Sequence, residues 1–197
     1  MHFYLTGGTA LAGFYLGHRY SDDLDFFTET EDFPRLKIEE FVEMARIEIG
    51  AEEVAYRKIY DRRAFFLKKK EEELKVEFVY YPFKRLERTE QEGIMVDSLD
   101  DIAANKLRTI FERMETKDFV DLYFLMKEKG FTLDMLQEKV KQKFHLALGP
   151  LALGSEFSKA EKIDKLPKMI KPLTIEELKA FFTKEAKKLE QNIFSQE

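Results

Sequence analysis

The chain has 197 residues and a mass of 23.4 kDa, enough for one domain with a sizeable core or one domain with a helical addition. Its 44% apolar content, with 19 Phe and 8 Tyr, excludes disorder over most of the length. The formal charge of −5 excludes a global basic field, and the absence of cysteine excludes disulfides and thiolate metal sites. With no long apolar run and no signal-peptide pattern, we expect a cytoplasmic protein without a membrane partner.

The N-terminal half shows the periodicity of short strands and one long helix. Apolar runs, the Gly7-Gly8-Thr9 break and stretches rich in β-branched and aromatic residues mark the boundaries. The predicted elements are a strand at 2–5, a glycine turn at 7–9, a helix at 10–16, a strand at 23–27, a helix from Pro34 to about Ile49, and a three-strand meander at 53–81 with a charged hairpin turn at 68–73.

Beyond Asp97 the pattern changes to helices. Four start signals are present: Ser98 with Asp101, Thr116, Thr132, and Thr174 with Glu177 as a capping box. Residues 146–173 hold three of the five prolines and predict an irregular connector. The sequence therefore predicts an α+β fold, with strands and helices over residues 1–97 followed by a C-terminal α-helical cap or bundle over 98–197.

Asp23 and Asp25 occupy alternate positions of a predicted strand. The strand period of two places both carboxylates on one face, where they would repel each other without a cation. Hard oxygen ligands of this kind suit Mg²⁺ or Mn²⁺ together with substrate phosphates. The alternative is a pair of acids that face solvent at the end of a strand.

Two further features add to this pair. Gly7 and Gly8 stand between a predicted strand and helix, where backbone amides favour an anion, although such turns often serve backbone geometry alone. Glu77 interrupts a later apolar strand, and three carboxylates can hold two metal ions. A charge that protects an edge strand is the alternative for Glu77.

In this order, the residues resemble the core signature of the DNA-polymerase-β-like nucleotidyltransferase superfamily. The signature consists of Gly7-Gly8-Thr9, then Arg19-x-Ser21-x-Asp23-Leu24-Asp25-Phe26, then an acid in a later strand. Residues 101–107 (DIAANKL) and 117–122 (KDFVDL) resemble the helical motifs of its AbiEii/AbiGii-toxin-like branch, which occurs in abortive-infection and toxin–antitoxin systems. The likeness spans residues 3 to about 130 and implies a nucleotidyltransferase-like mixed β-sheet core flanked by helices over residues 1–97.

The resemblance implies metal-dependent transfer of a nucleoside monophosphate from an NTP, ATP among the candidates, to an acceptor hydroxyl. Asp23, Asp25 and Glu77 are implied as the ligands of Mg²⁺ or Mn²⁺. The implied catalytic residues are Asp23, Asp25, Glu77, Lys106 and Asp121, and the implied nucleotide-binding residues are Gly7, Gly8, Thr9, Lys106 and Asp118. For Lys106, which would contact the triphosphate, a solvated helix lysine is the alternative. For Asp118, stabilisation of the helix dipole is the alternative.

The partners follow only in outline. By analogy with the toxin branch a tRNA 3′ end is the first acceptor to consider, while a protein hydroxyl and a small molecule stay open. A toxin role would require a cognate antitoxin. Members of the family usually carry a helix before the glycine strand, and without it part of the first strand would be exposed, so a dimer or a covering C-terminal helix stays open.

Two other classes of function stay open. The fold could serve as a catalytically silent nucleotide-binding or regulatory module, because a fold does not fix an activity. The protein could instead bind nucleic acid through the lysines of its last helix, although interleaved glutamates favour a solvated helix there.

Overall fold

The computed structural model describes residues 3–31 and 35–194, and within them the chain forms two compact units. The first unit comprises Met1–Ala10, Ser21–Lys84 and Arg88–Asp97, and the second comprises Leu11–Tyr20, Arg85–Glu87 and Ser98–Glu197. The first unit ends at Asp97, where the sequence predicts a boundary, but residues 11–20 and 85–87 group with the second.

The first unit holds all the strands of the described ranges. The strands are β1 (Tyr4–Thr6), β2 (Asp23–Thr28), β3 (Glu53–Ile59), β4 (Arg62–Lys69), β5 (Glu72–Tyr80), β6 (Arg88–Gln91) and β7 (Ile94–Asp97). The helices are α1 (Gly7–Ala10), a π-helical segment (Leu11–Leu16), α2 (Arg35–Ile49), α3 (Leu99–Glu112), α4 (Thr116–Glu128), α5 (Leu133–Phe144), α6 (Pro150–Ser158), a 3₁₀ segment (Lys159–Lys162) and α7 (Ile175–Phe194). The predicted α+β class, a mixed sheet followed by a helical region, is confirmed.

The strands form one sheet in the order β3-β4-β5-β2-β1-β7-β6. The β2–β5 and β1–β7 pairs are parallel, and the other neighbours are antiparallel. The meander β3-β4-β5 is confirmed, and its charged hairpin turns at Lys70 and Glu71. The β6–β7 hairpin lies in residues 82–97, for which the sequence predicted no element.

Helix α2 covers one face of the sheet. Its side chains Ile38 and Val42 are buried against Phe65, Val76 and Phe78 of β4 and β5. On β2, Leu24 and Phe26 pack against this same core. Because side chains alternate along a strand, Asp23 and Asp25 lie on the opposite face of the sheet.

The second unit confirms most of the predicted helix starts. The Ser98 hydroxyl accepts a hydrogen bond from the Asp101 amide at 3.0 Å, and Thr132 caps α5 in the same way. Thr174 and Glu177 form a reciprocal capping box, with bonds of 3.1 and 3.2 Å. Thr116 is instead the first helical residue of α4, after Glu115 as N-cap.

Two predictions need correction. Residues 146–173 are not an irregular connector throughout, because α6 runs from Pro150, a residue that fits the first turn of a helix, and buries Phe157 against α7. The predicted glycine turn is the first turn of α1, which begins at Gly7.

His2 and Pro34, taken as the first residues of a strand and a helix, lie outside the described residues. In the described ranges, no helix is long and apolar enough to cross a membrane.

Candidate active site

The predicted acidic residues of the first unit lie on two neighbouring parallel strands. Asp25 on β2 is paired in register with Glu77 on β5, and Asp23 is paired with Lys75. Directly paired residues project from the same side of a sheet, so Asp23, Asp25 and Glu77 share the face opposite α2. Asp23 and Asp25 are partly exposed, whereas Glu77 is buried. The fold thus places the three acids named from the sequence on one face of the sheet.

Gly7 brings the start of α1 close to this surface. It has a φ of +72°, in the left-handed region that favours glycine. A Cβ atom added to Gly7 would come within 2.5 Å of Asp25 Oδ2. The carboxylate of Asp25 therefore occupies the space that any other residue at position 7 would need.

Thr9 binds the chain segment that precedes β2. Its hydroxyl donates to the backbone carbonyl of Asp23 and lies 2.9 Å from the Ser21 hydroxyl. These bonds connect the first turn of α1 to the beginning of the acidic strand. Thr9, which the resemblance implied as a nucleotide-binding residue, thus has a positioning role in this structure.

Glu77 is held by two cations. Arg62 Nη1 donates to Glu77 Oε2 at 2.7 Å, and Lys75 Nζ lies 3.4 Å from Glu77 Oε1. The Arg62 side chain is 55% exposed and the Glu77 side chain is 6% exposed. The ion pair therefore joins a buried carboxylate to a guanidinium at the protein surface. The charge of Glu77 is compensated by the protein itself.

The donor set can be compared with the needs of a divalent metal. In residues 3–31 and 35–194, no group of three acidic or histidine side chains is arranged to hold a metal ion. Mg²⁺, however, commonly uses one or two carboxylates together with waters and substrate phosphates. Asp23 and Asp25 fit that requirement as hard oxygen donors on one face. Glu77 fits it only when its contact with Arg62 is released.

A buried pair that the sequence did not reveal lies beside this site. Thr6 is paired in register with Asp25, and its hydroxyl donates to Asp97 Oδ2 at 2.7 Å. Thr6 and Asp97 are both buried. Because Gly7 follows Thr6 directly, this bond anchors the end of β1 at the point where α1 begins.

The remaining predicted site residues belong to the second unit, where they form a buried ion network. Lys106 Nζ of α3 lies 2.8 Å from Asp118 Oδ1 and 2.6 Å from Asp121 Oδ2, both on α4. Arg113 donates to Asp118 at 2.9 Å. Asp118 and Asp121 are three residues apart and share a helical face, as the sequence indicated.

Asp121 also binds two residues that sequence reasoning did not connect with it. Arg19 donates from Nε and Nη2 to the two oxygens of Asp121, at 2.7 and 2.8 Å, and His18 Nε2 lies 2.8 Å from Oδ1. His18, Arg19 and Asp121 are all buried. A bidentate Arg–Asp pair fixes both distance and orientation.

The network keeps Asp118, Asp121 and Lys106 charged. Burial acts to raise the pKa of Asp121, but the Lys106 ammonium and hydrogen bonds from His18 and Arg19 outweigh it and hold that pKa well below its usual range. For Asp118, burial is likewise outweighed, mainly by Lys106, so its pKa is also lowered. Burial acts to lower the pKa of Lys106, but Asp121 and Asp118 raise it. Removing one member would leave buried charge uncompensated.

Comparison with known proteins identifies a family and a related chain. The family model described as "Nucleotidyl transferase AbiEii toxin, Type IV TA system" matches residues 1–196. An uncharacterised protein of Aquifex aeolicus is 37% identical over 145 residues, which are 72% of this chain and 66% of that protein. The chain thus spans slightly less than two thirds of this relative.

Two solved structures from Helicobacter pylori share the fold. JHP933 is 22% identical with a TM-score of 0.60, over 98% of this chain and 86% of its own. A second protein, provisionally described as a nucleotidyltransferase, is 25% identical with a TM-score of 0.60, over 99% of this chain and 89% of its own. The match extends over both units of the chain.

Proposed function

Since the chain belongs to the AbiEii nucleotidyltransferase toxin family, we propose that it transfers a nucleoside monophosphate from an NTP to an acceptor hydroxyl. In this reaction the acceptor oxygen forms a bond to the α-phosphorus, and the bond from the α-phosphorus to the bridging oxygen breaks. Pyrophosphate leaves with the bonding electrons, and the hydroxyl proton passes to a base or to water. The observation that carries the proposal is the pair Asp23 and Asp25 on the sheet face opposite α2, with Glu77 in register beside them.

Asp23 and Asp25 would hold a divalent cation, Mg²⁺ or Mn²⁺, with Glu77 as a third ligand. When bound, the cation would supply charge neutralisation for the phosphates and would lower the pKa of the acceptor hydroxyl. Gly7 leaves room for the Asp25 carboxylate, and the Thr9 hydroxyl holds the Asp23 backbone. For Glu77 to act as a ligand, Arg62 must release its oxygen.

The nucleotide would be bound by backbone and cationic groups. The amides at Gly7 and Gly8 would donate to phosphate oxygens at the start of α1. Lys106 would place its positive charge on the triphosphate, while Asp118 and Asp121 keep the ammonium charged and fixed in position. The alternative for Lys106 is a purely structural role, because both carboxylates already bind it.

A tRNA 3′ end is the first acceptor to test, followed by a protein hydroxyl and a small molecule. The family description places its members in type IV toxin–antitoxin systems, which supports a toxin role with a cognate antitoxin. Acceptor choice depends on pocket shape and on surfaces for which no short motif exists.

The decisive experiment incubates the protein with each of the α-labelled NTPs, Mg²⁺ and total cell extract. Label in RNA, in protein or in small molecules identifies the acceptor class. Asp25→Ala is expected to abolish the transfer, whereas Asp22→Asn, at an exposed acid beside the pair, is the matched control that keeps it. Normal labelling by the Asp25 variant would show that the site is assigned wrongly.

One observation favours a second candidate, a catalytically silent nucleotide-binding or regulatory module. The Glu77 carboxylate is already bound by Arg62 and Lys75, a state that suits a protein without a metal at this position. Such a module would be stabilised against heat by an NTP but would label no acceptor in the extract. Stabilisation together with labelling supports the transferase.

A further inference from the structure

Strand β3 lies at the edge of the sheet, with β4 as its neighbour on one side only. All seven of its residues are exposed. Among them are three large apolar side chains, Val54, Tyr56 and Ile59, which are 38 to 58% exposed. A long edge strand with exposed apolar side chains offers its outer backbone groups for pairing with another strand.

The charge pattern of this edge is complementary to itself. Residues 52–58 read Glu-Glu-Val-Ala-Tyr-Arg-Lys: two acids, three uncharged residues and two bases. When two copies run antiparallel about a two-fold axis at Ala55, Glu52 faces Lys58 and Glu53 faces Arg57. In the same register Val54 faces Tyr56, and an aromatic side chain opposite a β-branched one is a favourable cross-strand pair.

These four charged side chains are all exposed. Within the ranges that the structure describes, none of Glu52, Glu53, Arg57 and Lys58 forms a salt bridge. Arg57 lies over the Phe66 ring at 5.1 Å, and the residue as a whole is exposed. By contrast, Arg35 and Glu39 on α2, also exposed, pair with each other.

We propose that β3 pairs antiparallel with β3 of a second copy of this chain, about a two-fold axis at Ala55, and so joins two sheets into one. Opposite charges then meet on both faces of the joined sheet, because even-numbered and odd-numbered positions project to opposite sides. A strand of seven residues is small beside the roughly 20–30 residues per side of a standard interface. The dimer should therefore dissociate on dilution. The proposal does not depend on the proposed activity.

Sedimentation velocity from roughly 1 μM to roughly 1 mM tests the pairing. The expected result is a shift from 23.4 kDa towards twice that mass as the concentration rises. The variants Glu52→Lys/Glu53→Lys and Arg57→Glu/Lys58→Glu each bring like charges face to face and should stay monomeric. An equimolar mixture of the two variants brings opposite charges together again and should restore the dimer. A monomeric wild type, dimers of either variant alone, or a mixture that stays monomeric would overturn the proposal.

A cross-link tests the register. The chain has no cysteine, so Ala55→Cys introduces a single thiol that should meet its own copy across the axis and form a disulfide-linked dimer on mild oxidation. Ile59→Cys is the control, since it is exposed on the same strand but far from the axis. Efficient cross-linking at position 55 with little at 59 supports the pairing, and equal or reversed yields contradict it.

Discussion

The carboxylate of Asp25 lies against the backbone of Gly7, so that a Cβ atom on Gly7 would come within 2.5 Å of Asp25 Oδ2. Gly7 begins α1 and Asp25 lies within β2. The close approach fixes the acidic strand relative to the first turn of the helix. Two features therefore require glycine at position 7: the close approach of Asp25 and a backbone φ of +72°.

Replacing Gly7 by alanine should therefore impair both stability and transfer. The left-handed backbone alone costs about 1–2 kcal/mol with a Cβ atom present. Displacement of the Asp25 carboxylate by about 1 Å should lower the transfer rate by roughly 100-fold. Urea unfolding and labelled-NTP transfer, measured at a temperature where both proteins are folded, give the two values separately.

Gly13→Ala provides the control, because no neighbouring atom lies within 4 Å of its added Cβ and its φ is not in the left-handed region. It should change the free energy of unfolding by less than about 1 kcal/mol and leave transfer intact. Equal effects at positions 7 and 13 would show that the contact with Asp25 does not matter.

Asp121→Asn should destabilise the second unit strongly. The substitution removes the negative charge shared by Lys106, Arg19 and His18, all of them buried. Loss of one partner from a buried ion pair typically costs about 3–5 kcal/mol in free energy of unfolding. Guanidinium unfolding followed by circular dichroism measures this loss.

Glu39→Gln is the matched control, since it breaks an exposed pair with Arg35 on α2. A surface pair of this kind is worth about 0.2–1 kcal/mol. Similar losses in free energy of unfolding for the two variants would show that the buried network around Asp121 stabilises the protein no more than an exposed ion pair does.

The same network predicts how stability depends on acid. Asp118 and Asp121 have pKa values in the folded protein below their ordinary value of 3.8. A carboxyl with a lowered pKa contributes stability that is fully present above the unfolded value and is lost as the pH falls through the folded value. The free energy of unfolding should therefore fall as the pH is lowered below about 5. Asp121→Asn should make that decline shallower, and an unchanged slope would assign it to other carboxyls.

Local patterns in the sequence predicted the acids of β2 and most helix caps, because strand alternation and capping act over a few residues. The pairs Thr6–Asp97 and Arg19–Asp121 join residues 91 and 102 positions apart, and no short motif encodes such a contact. Prolines suggested an irregular connector where α6 forms, because proline breaks the interior of a helix but fits its first turn, which is where Pro150 lies. What remained hidden was long-range pairing of polar groups.

Glu77 illustrates this limit and leads to a last prediction. The resemblance implied Glu77 as a metal ligand, but no sequence pattern indicated that Arg62 would bind it at 2.7 Å. If Glu77 is a metal ligand, Arg62 competes with the metal for its oxygen. A half-exposed ion pair is worth up to about 1 kcal/mol, so Arg62→Gln should tighten Mn²⁺ binding by about two- to fivefold. Electron paramagnetic resonance of free Mn²⁺, titrated with protein and a non-hydrolysable NTP, measures the affinity.

Arg88→Gln serves as the control, because it also removes one exposed positive charge. Arg88 lies on β6, the edge strand at the opposite end of the sheet from the β3-β4-β5 meander. If loss of a positive charge acts only at long range, both variants should bind Mn²⁺ more tightly to a similar degree. If Arg62 competes directly for Glu77, only the Arg62 variant should bind Mn²⁺ more tightly. Glu77→Gln in the Arg62 variant should cancel the gain, since no carboxylate is left for the metal to take up. An affinity that Arg62→Gln does not alter would exclude Glu77 as a ligand and leave Asp23 and Asp25 as the protein's share of the site.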